Sequence, residues 1–237
     1  MIQVEGIFSG GSSISAPIIG EDFNWSGGDG TYQVLDDGGG NWRIKFLSSG
    51  TFTPLKNMVI DAFLVGGGGG SGSSYCGAGG AGYTTTVRSV VLTANTAYSI
   101  VVGAAGTNGN PSSAGGETTA FTASAAGGKN TSNGTSSSKR PGGAGGSGGA
   151  GYVSPVATTT GGTDGGDGTS SATTGGKGQG TTTREFGEAD GTLYASGGGS
   201  NLTATVSNSG NGGRNGITSI APADGIVVIR QHKEVAA

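Results

Sequence analysis

Apolar positions in this chain fall into short runs that either alternate with polar residues or continue unbroken for a few positions. Residues 41–47 (NWRIKFL), 50–53 (GTFT), 58–65 (MVIDAFLV), 82–91 (GYTTTVRSVV) and 97–102 (AYSIVV) are rich in Val, Ile, Tyr and Thr and are bounded by Gly, Ser or Asn. That pattern predicts strands, with Ser48-Ser49-Gly50 as a turn between the first two. A thinner second group covers 181–186 (TTTREF), 192–195 (TLYA) and 225–230 (GIVVIR). Apolar residues at i, i+3, i+4, i+7 are absent, because Gly, Ser or Thr interrupts each candidate window. The pattern therefore predicts an all-β fold with essentially no α-helix.

Between the two groups, about residues 103–180, lies a low-complexity stretch of Gly-rich pieces separated by Ser/Thr-rich ones. GGAGGSGGAG at 142–151 and GGKGQG at 175–180 are examples, and five glycines run consecutively at 66–70. Glycine supplies 55 of the 237 residues, about three times ordinary usage. Each glycine costs about 0.5–1 kcal/mol more to order than alanine does, so the runs are either disordered or folded for a reason that needs a missing side chain. Disordered chains are held open by net charge and Pro, whereas here 12 Lys and Arg face 15 Asp and Glu, with six prolines. No fixed repeat period and no strict Gly-X-Y spacing are present, which excludes a regular solenoid and collagen. The remaining folded solution is a bundle of polyglycine-II helices. Their peptide groups point outward at three residues per turn and bond to neighbouring helices that only glycine lets approach.

Composition narrows the function. Hydrophobic residues make up 32% and charged residues 11%, so a large apolar core is not affordable and the net charge is only −3. Nucleic acid calls for a basic stripe that is missing here. No apolar run reaches the length of a membrane span, so no membrane insertion is expected. MIQVEGIFSG lacks the regions of a signal peptide, which implies synthesis and folding in the cytoplasm. The single Cys76 excludes a disulfide framework and a cysteine zinc site.

Motifs that suggest chemistry are weak. Gly67, Gly69 and Gly72 spell G-x-G-x-x-G after a strand, but SSYCGAGGAGY follows where a dinucleotide site needs a helix. Gly128-Lys129 and Gly176-Lys177 lack the Ser or Thr of a phosphate loop. Asp164 and Asp167 form one isolated Gly/Asp piece, too few oxygens for calcium. No cofactor and no metal are expected. His232, the only histidine, reads as an exposed residue of the tail 232–237, poorly placed for a Ser-His-Asp device. Glu185, Glu188 and Asp190 read as solvated turn charges with no cleft indicated, so an enzyme is not expected. Trp42 reads as core, and Trp25 as either local packing or a partner contact.

The combination of IKFLSSGTFTP, IDAFLVGGGGGSG, GAGGAGYTTTVRSVVLTANTAYSIVVGAAG, GTTTREFGEADGTLYASGGG and DGIVVIR resembles the glycine-rich domain proteins of bacteriophages and prophages, over about residues 41–231. A more distant likeness is to the glycine-rich adhesins at the tips of T-even-like phage tail fibres. The resemblance implies a β-sandwich, jelly-roll-like framework carrying polyglycine-II helices and loops. Residues 1–40 would then be an N-terminal attachment segment, 41–231 the glycine-rich domain and 232–237 a tail. It also implies a tail-fibre receptor-binding protein of the virion, with a bacterial surface glycan or outer-surface protein as receptor and other tail subunits as neighbours. A homotrimer and a monomer are both open. The alternative is a purely structural fibre, baseplate or capsid decoration protein; a glycan depolymerase is the third reading. Receptor contacts are expected in the polar loops, at Tyr75, Asn130, Asn133, Lys139, Arg140 and Tyr152.

Overall fold

Alternation along residues 41–46 turns Trp42, Ile44 and Phe46 to one side and Asn41, Arg43 and Lys45 to the other, and this division organises the molecule. A computed structural model of the protein describes residues 16–73, 76–133, 142–151, 182–199, 205–214 and 219–232. These hold strands β1 (Phe23–Trp25), β2 (Tyr32–Gly38), β3 (Asn41–Phe46), β4 (Gly50–Pro54), β5 (Met58–Val65), β6 (Thr84–Leu92), β7 (Tyr98–Val101), β8 (Thr118–Ala120), β9 (Ala123–Ala125) and β10 (Ile226–Gln231). The strands form two five-stranded antiparallel sheets, ordered β1-β4-β7-β8-β9 and β2-β3-β10-β5-β6. The described residues contain no α-helix, only a 3-10 turn at Glu185–Gly187. The fold is the all-β sandwich expected from the sequence.

The inner faces of the two sheets enclose the main core. Phe23, Trp25, Phe52 and Ile100 from the first sheet meet Trp42, Ile44, Phe46, Ile60, Leu64, Val227 and Ile229 from the second. Phe52 packs edge-on against Phe46 and tilted against Phe23, each with ring centroids 5.5 Å apart. Each fully buried Phe contributes about 1.5–3 kcal/mol relative to exposure. Trp25 is core: its ring lies 4.7 Å from Phe46 and its indole N–H donates to Thr31 Oγ1 at 2.9 Å. Gly27 and Gly50 make room for it, since a Cβ on either would meet the indole within 2.6 Å.

Strand β5 is buried on both faces from Ile60 to Val65. Its outer neighbours Phe63 and Val65, with Ile226 and Val228 of β10, form a second apolar layer under Ala81, Phe186, Tyr194 and Ala195. Of the segments 181–186 and 192–195, expected to be strands, the described residues 182–186 and 192–195 form this cover instead. Glu185 and Phe186 are consecutive and both buried, which alternation forbids, so Phe186 takes a positive φ of 56° and only a single bridge, Arg184 to Leu193, remains.

The framework begins inside the segment 1–40 that the sequence sets apart. β1 pairs with β4 and β2 pairs with β3. Strands β8 and β9 lie within the low-complexity stretch and are joined by Phe121-Thr122, both at positive φ.

Beyond the sandwich the described glycine runs pack side by side as the sequence predicts. Along residues 78–83, the amides of Ala78 and Ala81 donate to Ala150 and Ser147, those of Gly79 and Gly82 to Gly213 and Gly210, and those of Gly80 and Tyr83 to Lys129 and Ala126. Every third amide thus returns to the same neighbour, the signature of three residues per turn. Residues 66–70 do likewise: Gly66 and Gly69 donate to Tyr83 and Gly80, and Gly67 and Gly70 to Gly116 and Ser113. None of the donor glycines at 66–70, 79, 80 and 82 has a positive φ, as the polyproline-type helix requires, whereas Gly210, an acceptor, stands at 66°. A Cβ added at any of positions 66–70 would lie 1.8–2.3 Å from a backbone oxygen of another segment.

That crowding predicts a steep dependence on position. Gly68→Ala, whose Cβ would meet Asn211 O at 1.8 Å, is expected to cost more than about 3 kcal/mol or abolish folding. Gly116→Ala, with its nearest atom at 3.0 Å, should cost clearly less. Urea unfolding of the two variants measures the difference, and equal destabilisation would refute the lattice as the source.

Candidate functional site

The glycine helices start at the end of the sandwich and finish in a cluster of polar loops. Residues 66–72 advance about 20 Å from β5 at roughly 3.1 Å per residue, and a bridge between Gly72 and Gly109 ties two loops together at the far end. Here the amides of the rods run out of glycine partners, and hydroxyl and amide side chains replace them. Ser71 N donates to Asn108 Oδ1 at 2.8 Å, while Asn108 Nδ2 donates to Ile220 O at the same distance. Thr131 Oγ1, itself buried, accepts from Gly72 N at 3.2 Å and donates to Gly77 O at 2.6 Å. Cys76 donates its thiol hydrogen to Gly72 O.

Two of the six expected contact residues lie in this cluster. Asn130 is exposed and donates through Nδ2 to the Ser112 carbonyl at 2.9 Å and hydroxyl at 3.0 Å. Asn133 is half-buried, accepting from Ser73 N at 2.7 Å and donating to Ser73 Oγ at 3.0 Å. Both asparagines brace neighbouring loops, so their positions are set by the rods beneath. Tyr75, Lys139, Arg140 and Tyr152 lie outside the described residues. Thr107, Asn110, Ser113 and Ser132, with Ser73, Lys129 and Ser219, are further exposed polar residues of the described loops. The G-x-G-x-x-G glycines hold no phosphate-ready amides: Gly67 N, Gly69 N and Gly72 N all donate within the lattice.

Two charged sites on the outer side of the second sheet were not legible in the sequence. One is a cavity of about 300 Å³ lined by Asp37, Arg43, Glu185, Glu188, Asp190 and Arg230, among others. The carboxylates expected to be solvated turn charges therefore do surround a cleft. Glu185 is nevertheless 2% exposed and ion-paired, with Arg43 Nη1 at 2.6 Å and Lys45 Nζ at 3.6 Å. Glu188 is held by Arg230 at 2.6 Å, whose guanidinium lies 4.2 Å over the Phe186 ring. Burial, reinforced by Glu185, pushes the Tyr194 phenol above its ordinary range.

The other site surrounds Asp61, a fully buried carboxylate on β5. Opposite it, β6 bulges: the register shifts between Ile60 and Ala62, which frees Arg88 and Ser89 to turn toward Asp61. Asp61 Oδ2 accepts from Arg88 at 3.1 Å and Arg230 at 3.2 Å, and Oδ1 from Ser89 N at 3.2 Å. His232 is not the free tail residue expected. Its Nδ1 lies 2.6 Å from Asp61 Oδ1, its Nε2 lies 3.0 Å from Ser89 Oγ, and its backbone amide donates to Val59 O. Burial alone would raise the Asp61 carboxyl, but the His232, Ser89 and Arg230 donors hold it below the usual carboxylate range.

The family model of a glycine-rich domain matches residues 47–230. No curated protein matches the chain.

Two expectations follow for the charged sites. Replacing Glu185 by Gln removes the buried partner of Arg43 and Lys45, while Arg43 keeps Asp37 at 2.7 Å, and should destabilise the fold by about 1–3 kcal/mol, read by denaturant unfolding. Because the Asp61 carboxyl is depressed, its stabilisation is present above the ordinary value near 3.9 and is lost as pH falls below it. Asp61→Asn should therefore lower the melting temperature at neutral pH and flatten its decline below about pH 4. An unchanged acid slope would show that Asp61 does not carry it.

Proposed function

The chain belongs to the glycine-rich domain family, and we propose that it is a receptor-binding protein of a phage or phage-like tail. The observation that carries this reading is the convergence of polar loops at the end of rods whose backbones are fixed by mutual hydrogen bonds. Loops held in this way lose little conformational entropy when they engage a partner, which is the main saving available to a recognition surface. Their chemistry favours a neutral polyhydroxylated surface. Asn130, Asn133, Ser132 and Thr107 offer amides and hydroxyls that can donate and accept in turn. A bacterial surface glycan is the receptor class that suits them best, with an outer-surface protein as the other.

The loops act here as the specific element, and the rods and sandwich as their support. In the absence of receptor binding, the same architecture would serve only stiffness in a fibre, baseplate or capsid surface. The two roles separate in one experiment. Fluorescently labelled protein is incubated with a panel of bacterial cells before and after periodate oxidation of their surface glycans. Binding to at least one strain, lost on oxidation and reduced at least tenfold by Asn130→Ala combined with Asn133→Ala in a variant that still unfolds cooperatively, is the expected outcome. Failure to bind any strain, or binding indifferent to every loop substitution, would favour the purely structural role.

A further inference from the structure

The Asp61 cluster holds an arrangement that the support of the fold does not require. A buried carboxylate joining β5, β6 and β10 is accounted for by Arg88, Arg230 and the Ser89 amide. The imidazole and the Ser89 hydroxyl extend the chain of bonds outward to solvent. Asp61 Oδ1 accepts only, so His232 Nδ1 carries the hydrogen between them. In the neutral ring Nε2 then holds a lone pair, and the Ser89 hydroxyl donates to it across 3.0 Å. The nitrogens are used in the order that base activation of a serine demands: Nδ1 oriented by a carboxylate, Nε2 facing the hydroxyl.

The environments of the three groups also differ in the required sense. Asp61 is fully buried, the His232 side chain is 21% exposed, and Ser89 is exposed. Ser89 sits at a φ of 56° in the bulge, a left-handed conformation that a non-glycine residue adopts at a cost. That turn carries its side chain to the ring while its amide reaches the carboxylate.

We propose that Ser89, His232 and Asp61 form a serine-nucleophile site that reacts with acyl esters. The Ser89 oxygen bonds to the ester carbonyl carbon as its proton passes to His232 Nε2. The carbon–oxygen bond to the alcohol then breaks, and the imidazolium returns that proton to the departing alcohol. Water repeats the sequence on the acyl-serine, releasing a carboxylic acid and restoring the hydroxyl. The site lies on the open face of an edge strand, and the cavity lined by Glu185 does not include it. Its substrates are accordingly small acyl groups borne on large or extended molecules. The Ser89 amide is engaged by Asp61 and so is not available to a developing oxyanion, a donor whose loss elsewhere costs about 10²–10³ in rate. Turnover is expected to be slow, and covalent capture of the serine is the sharper readout.

The test uses the whole protein with a fluorophosphonate, whose phosphorus bonds to the serine oxygen as fluoride leaves, and with p-nitrophenyl acetate. Peptide mass spectrometry is expected to find the adduct on Ser89 at least tenfold faster than on Ser132, an exposed serine of the same molecule. Ser89→Ala should abolish that adduct and the acetate release, and His232→Gln should slow both at least tenfold. No adduct on Ser89, labelling no faster than on Ser132, or equal labelling in the His232 variant would each overturn the proposal. The comparison with Ser132 is internal to the wild-type protein and does not depend on how well either variant folds.

Discussion

The amides of the glycine segments need acceptors outside their own helix, because a helix of three residues per turn makes no bonds within itself, and most find them on carbonyls of neighbouring segments. The distal half of the molecule depends on meeting that demand. Gly79 and Gly82 reach Gly213 and Gly210, while Gly80 and Tyr83 reach Lys129 and Ala126, so one rod is tied to several others at once. A net gain of about 1 kcal/mol per bond is small, and the arrangement holds only when many form together. Side chains are excluded by the same geometry: an oxygen of a neighbouring rod already occupies the place of a Cβ at each of residues 66–70.

The sandwich gives this lattice a fixed origin. Val65 ends β5 in the second apolar layer, and Gly66 continues the chain directly into the bundle, where its amide bonds to Tyr83 at the start of the run into β6. Gly225 closes the circuit from the other side, donating to Gly103 just before β10 begins. The rods are thus clamped at their roots by strands whose own register is set by Phe52, Ile44 and Ile229 in the core. On the outer face, ion pairs take over from apolar packing: Arg43 and Lys45 hold Glu185, and Arg230 spans Asp61 and Glu188.

What the sequence disclosed followed the clarity of its local signals. β5 and β10 are apolar runs and β3 an alternating one, all of ordinary strand length, and the glycine bundle follows from composition together with low charge. β8 and β9 were hidden because their turn uses Phe121-Thr122 where such turns ordinarily carry Asn or Gly. β1 and β2 fell in a segment with little apolar content, although Gly39-Gly40 between YQVLDD and NWRIKF was a legible hairpin turn. The loop asparagines 130 and 133 could be singled out by residue type, but their bracing partners Ser112 and Ser73 come from distant positions. The Asp61 cluster was least accessible, since Asp61, Ser89 and His232 meet only through strand pairing and a bulge. The one available hint was an acidic residue inside the apolar run MVIDAFLV, a position that burial penalises unless partners are supplied.

The scarcity of side chains in the bundle also changes how the protein responds to temperature. Heat capacity rises on unfolding in proportion to the apolar surface exposed and falls with the polar surface. The sandwich, with Phe23, Phe46 and Phe52 at its centre, follows the first rule, whereas the rods expose almost only peptide groups and follow the second. The distal half therefore adds stability with little or even opposite curvature, broadening the range over which the loops stay in register. Cooling, which weakens apolar association, leaves the bonds between the rods largely intact.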